Sequence, residues 1–145
     1  MPVVHARVTD QPLDAAELTA MVSTPSAGAL TCFYGQIRDH DPEASGEVTG
    51  IDYTRHPDSD RMIGEIVGRV VDAHDPEGVA SVVAVHRVGR LEVGELALVV
   101  VVATPHRQLG FALCPAIVEA IKDELPVWKQ QFEADGRAVW SGLGL

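Results

Sequence analysis

The run "LALVVVVAT", Leu96 to Thr104, constrains this chain more than any other stretch. It is β-branched without a break from Val99 to Val102. A transmembrane helix needs about 20 apolar residues, so this run is far too short to cross a bilayer. It reads as a buried strand, which needs other strands to pair with and other layers to cover it.

The flanking sequence supplies those parts. "VVHARV" (Val3 to Val8) reads as a first strand. "PLDAAELTAMVS" follows as a helix, with Asp14 as N-cap and Leu13, Leu18, Met21 and Val22 near helical spacing. "GALTCFYGQIR" (Gly28 to Arg38) is β-branched and aromatic, hence a strand, and "DHDPEASGE" after it is a loop. "EVTGIDYTRH" alternates as a half-buried strand. From Pro57 to His74, Met62, Ile63, Ile66, Val67, Val70 and Val71 recur at three and four residues, which predicts an amphipathic helix. "VASVVAVHRVG" is a strand, and "RLEVGE" turns near Gly94 into the buried run.

After Pro105, Leu109, Leu113, Ile117, Ala120 and Ile121 line one face of a long helix. Pro115 inside it should kink it or cost a hydrogen bond. Pro126 ends it after Glu124, "VWKQQF" resumes as a short helix, and "AVWSG" is a last strand. The order implies an α+β domain, with a mostly antiparallel sheet and helices packed on one face. At 145 residues the chain is expected to be a single domain spanning 1–145.

The formal charge of −10 argues against nucleic-acid binding, which depends on neutralising phosphates. It leaves room for a local basic pocket. Cys32 and Cys114 are far apart and form no CxxC pair, so a reduced, cytoplasmic setting is expected. "MPVVHARVTDQPLD" holds no signal-peptide core, and no membrane association is expected. No metal-ligand spacing, P-loop, GxGxxG or GxSxG occurs, so no metal and no cofactor are expected.

The basic residues are distributed unevenly. Nine of the 11 are arginines, and the two lysines, Lys122 and Lys129, stand seven residues apart in "IKDELPVWKQQ". Arginine keeps its charge, whereas a partly buried lysine among other cations can give up a proton and serve as an acid/base or nucleophile. Arg38 and His40 follow a strand, His86 and Arg87 end another, and His106 and Arg107 open the long helix. Helix starts offer backbone N–H groups to anions. These residues imply an anion-binding site with one or two reactive lysines. Surface ion pairs explain single members equally well: Lys122 with Glu119, or Lys129 with Glu133.

Four segments carry a family resemblance: "GQIRDH", "VHRVGRLEVGE", "ATPHRQLGF" and "IKDELPVWKQQF". In this order and spacing they resemble the large, catalytic subunit of molybdopterin synthase, the MoaE family, from about Val4 to Trp140. The resemblance implies an α/β-hammerhead type of α+β fold. It implies conversion of cyclic pyranopterin monophosphate (precursor Z) to molybdopterin. The sulfur would come from the C-terminal thiocarboxylate of a small ubiquitin-like carrier ending in Gly-Gly, of the MoaD type. It also implies a homodimer that forms a heterotetramer with two carriers.

Carried over by position, Lys122 and Lys129 match the family's active-site lysines, and His106 and Arg107 match its phosphate-pocket pair. Arg38 matches an arginine of that pocket, accompanied by His40. Arg137 matches a further basic residue, and Arg87 has a pocket role within an otherwise structural "HRVG". The chain departs from many relatives at Gln131, where they carry an acidic residue, at "YTRHPDSDR" and at Pro115. The alternatives are a non-catalytic dimeric scaffold that binds the carrier tail, and an anion-binding hydrolase.

Overall fold

The computed structural model describes residues 3–41, 46–134 and 136–141, with backbone only at 139 and 141. The buried run is β6 (Leu96–Thr104), and it is covered on both faces. β6 lies third in a four-stranded sheet ordered β1 (Val4–Thr9), β4 (Ser81–Arg87), β6, β2 (Ala29–Gln36). β1 runs parallel to β4, and the other pairs are antiparallel. A second sheet, wholly antiparallel, is ordered β5 (Gly89–Glu92), β3 (Val48–Arg55), β7 (Val127–Glu133), β8 (Ala138–Ser141).

The three helices among the described residues cover both faces of the first sheet, rather than one. α2 (Ser59–His74) and α3 (Arg107–Glu124) pack on the face that carries Val82, Ala84, Val100 and Val102. α1 (Ala15–Val22) packs Leu18 and Val22 against Val83, Val85, Val99 and Val101 on the other. An unbroken valine run is apolar on both sides, so one layer of helices cannot satisfy it. Ile63, Leu113, Ile117 and Ile121 are fully buried in the larger core. Each contributes about 1.5–3 kcal/mol relative to exposure. Asp14 caps α1 by accepting from the Glu17 N–H at 3.1 Å, as its position predicts.

Two features of the last third position the site. α3 runs continuously through Pro115 and stops at Glu124, with Leu125 extended ahead of Pro126. The segment after Pro126 is then a strand, β7, and not the short helix that its sequence suggests. Val127, Gln131 and Glu133 are its buried positions, with Lys129 half-buried between them. This is the period of two. Polar side chains occupy inward positions where apolar ones would have marked a strand. Cys114 is buried in α3, whereas Cys32 on β2 is exposed.

Candidate functional site

An open cleft of about 540 Å³ forms where the two sheets meet the C-terminal end of α3. β2 contributes Phe33 and Gly35, and the segment after it contributes Arg38, His40 and Asp41. β3 and β7 contribute Tyr53, Lys129 and Gln131, β4 contributes His86, and α3 contributes Lys122.

The segment after β2 is tied down along its backbone. The Ile37 N–H donates to the Glu95 carbonyl at 2.9 Å, and the Gly94 N–H donates to the Ile37 carbonyl at 2.8 Å. The Val48 N–H reaches the Asp39 carbonyl at 2.8 Å. A register shift between Gly35 and Gln36 bends the end of β2 and re-aims the chain into this segment. A Cβ at Gly35 would stand 3.3 Å from the Phe33 ring and 3.4 Å from the Leu98 Cβ, so a side chain there would crowd the cleft wall.

The two lysines reach the cleft from different elements, as Pro126 predicts. Lys122 lies in the last turn of α3, with its ammonium 5.8 Å from the centre of the Phe33 ring. Among the described residues it forms no ion pair, with Glu119 or any other carboxylate. Lys129 points inward from β7, and its Nζ lies 3.4 Å from the Asp41 carboxylate, not at Glu133. Both side chains of that pair are largely buried, so solvent screens it less than a surface pair.

Arg38 and His40 join the lysines, but four other expected site residues do not line the cleft. His106 is the N-cap of α3 and Arg107 its first residue, both exposed. Arg107 precedes Lys122 by fifteen positions, about 22 Å along the helix axis. The Arg87 side chain turns to Glu95, donating to its carboxylate at 2.8 Å. That hydrogen bond is the main reason the Glu95 carboxyl is held below its usual range. Arg137 pairs with Glu133 at 3.4 Å.

Sequence reasoning grouped His86 with the basic strand ends but gave the pocket role to Arg87, and it missed Tyr53 and Asp41. His86 has no solvent exposure. Its Nδ1 lies 2.7 Å from the Arg87 carbonyl, and its ring meets Tyr53 edge-on with 5.1 Å between centroids. Burial lowers its pKa to about 4, with the Lys122 charge acting in the same direction. Burial pushes the Tyr53 phenol up to about 12, and the Asp41 carboxylate adds to this. At neutral pH both groups are therefore uncharged. The available signal for Tyr53 was the alternation of β3, which turns it to the same side as its ladder partner Lys129. No group of three or more His, Cys, Asp or Glu among the described residues is arranged to hold a metal ion. No helix among them is long and apolar enough to cross a membrane.

Comparison with known proteins identifies the family. Residues 8–124 match the family model described as MoaE protein. Molybdopterin synthase catalytic subunit 1 of Mycobacterium tuberculosis is 39% identical over 139 residues, covering 95% of this chain and 90% of that protein. The molybdopterin synthase catalytic subunit of Bacillus subtilis is 31% identical over 137 residues, covering 93% and 83%. The MoaE protein of Burkholderia ambifaria superposes with a TM-score of 0.74 at 27% identity, covering 100% of this chain and 92% of that one. At 15% identity and a TM-score of 0.69, the Helicobacter pylori structure described as a complex of subunits 1 and 2 of molybdopterin-converting factor shares the fold, covering 95% and 89%. The family match over most of the chain, with relatives above 30% identity along nearly its whole length, shows that this chain belongs to the MoaE family.

Proposed function

We propose that this chain is the catalytic subunit of a molybdopterin synthase. It converts cyclic pyranopterin monophosphate to molybdopterin with sulfur from the C-terminal thiocarboxylate of a small ubiquitin-like carrier, which makes it a sulfurtransferase. The observation that carries this reading is the meeting of both lysines with Arg38 and His40 in one open cleft of a protein with net charge −10. A phosphorylated substrate and an anionic thiocarboxylate both need such a basic pocket. The family match supports the same reaction.

In this scheme Lys122 lies nearest the carrier terminus. It stabilises charge that develops during sulfur transfer and moves the proton as the cyclic phosphate opens. Lys129, braced by Asp41, holds the substrate or intermediate. Arg38 binds phosphate with His40 beside it.

His106 and Arg107 join a phosphate pocket only when a second copy brings them. The homodimer has structural support. β2 is an edge strand, and Leu30 and Tyr34 stand exposed on it at 45% and 48%. An edge strand with exposed apolar residues is a template for pairing with another chain. Antiparallel pairing of two β2 strands would set the start of one beside the end of the other. His106 and Arg107, next to the start of β2 through the Thr104–Ala29 pairing, would then approach Arg38 of the other copy.

Purified chain, thiocarboxylated carrier and cyclic pyranopterin monophosphate are expected to yield the dithiolene product. Tight carrier binding without product would favour the scaffold reading instead.

A further inference from the structure

His86 is a fully buried ring among the residues that line the cleft, and its two nitrogens are used differently. The Nδ1 lies 2.7 Å from the Arg87 carbonyl oxygen. A carbonyl can only accept, so Nδ1 carries the hydrogen. The ring is uncharged, since burial holds its pKa near 4. The neutral tautomer then leaves Nε2 as an acceptor. That atom is fully buried and has no hydrogen-bond partner among the described residues. Buried polar atoms nearly always have one, so an unmet acceptor on a residue that lines the cleft points to a donor from outside the protein.

The residues around it argue for a ligand donor. Tyr53 meets the ring edge-on, which fixes its plane, and the Arg87 backbone fixes its rotation. A ring locked in this way presents one acceptor in one direction. The other polar groups at the cleft include the cations Arg38, Lys122 and Lys129, suited to anionic parts of a substrate. The reduced pterin also carries ring N–H and amino donors, and these need an acceptor.

We propose that His86 is a substrate-binding residue whose Nε2 accepts a hydrogen bond from an N–H or O–H of the pterin. This rests on the reading of the cleft as a molybdopterin synthase site. The contact would discriminate by chemistry: a ligand with phosphate but no donor at this position would satisfy the cations and leave Nε2 unmet.

The test is binding of cyclic pyranopterin monophosphate to the full chain with uncharged carrier present, measured by calorimetry. His86→Asn keeps a group near Nδ1 but none at Nε2, whereas the carboxamide of His86→Gln reaches the Nε2 position. Binding is expected to weaken about 10- to 100-fold in His86→Asn and to recover to within a few-fold of wild type in His86→Gln. Carrier binding should be unchanged in both. Equal pterin binding by wild type and His86→Asn overturns the inference alone. A wild-type protein that fails to bind the pterin overturns the functional reading with it.

Nitrogen NMR of the histidine rings in the unmutated protein gives a second check that no folding defect can obscure. The unprotonated Nε2 resonance of His86 should shift when the pterin is added. A resonance that stays fixed at saturating pterin, or an Nε2 already protonated in the free protein, overturns the inference.

Discussion

Lys129 stands directly opposite Tyr53 in the β3–β7 ladder, and its ammonium lies 3.4 Å from the Asp41 carboxylate. Backbone pairing and an ion pair thus fix this lysine from two sides. The arrangement suits a group that holds substrate at a set position. Lys129→Ala is expected to lower turnover about 100-fold or more, with little change in melting temperature. Lys129→Arg keeps the charge but changes its shape and its ability to exchange a proton, and should recover little of the rate. Turnover near wild type in Lys129→Arg would reduce the residue to a fixed charge.

His86 makes acid stability a second test. Its pKa is 6.5 as a free group and about 4 in the folded protein. Between those values the unfolded chain binds the proton and the folded chain does not. Stability is therefore whole above pH 6.5 and falls as pH drops toward 4, by about 3 kcal/mol. Denaturant midpoints for wild type and His86→Gln across this range should show the steeper acid loss in wild type. Parallel curves would contradict it.

Gly110 marks the close approach of α3 to β2. A Cβ there would lie 2.3 Å from the Thr31 Oγ1. Gly110→Ala is thus expected to destabilise by about 1–3 kcal/mol, although alanine favours helix by about 1 kcal/mol. Thr31→Ala in the same chain should recover much of the loss. A stabilised Gly110→Ala protein, by urea unfolding, would show that the helix can stand off the sheet.

The fold and site were unevenly legible in the sequence, for identifiable reasons. Pro126 marked the end of α3 and separated the two lysines, because proline disfavours helix at the residue before it. β7 was hidden because Lys129, Gln131 and Glu133 take inward positions that apolar residues usually hold. The parallel β1–β4 pairing and the placement of α1 on the far face depend on contacts between distant segments, which no local pattern encodes. His86 was overshadowed by the charge of Arg87 beside it, yet the histidine lines the cleft and the arginine pairs with Glu95.

The distance of Arg107 from Lys122 yields a prediction about assembly. If a second copy supplies His106 and Arg107, Lys122→Ala and Arg107→Ala lie in the same site of a dimer but on different chains. Each variant alone should be nearly inactive. Mixed dimers would restore one intact site, so co-refolded chains should recover about a quarter of wild-type activity. No recovery in proven mixed dimers would confine the site to a single chain.

The proposed sulfur transfer turns on Lys122, which reaches the cleft without an ion pair among the described residues. The most direct measurement is the rate of molybdopterin formation by Lys122→Ala, with thiocarboxylated carrier and cyclic pyranopterin monophosphate. The expected result is a fall of 100-fold or more, about 3 kcal/mol in the barrier, with unchanged melting temperature and carrier binding. A folded Lys122→Ala protein that makes molybdopterin at the wild-type rate would contradict the account.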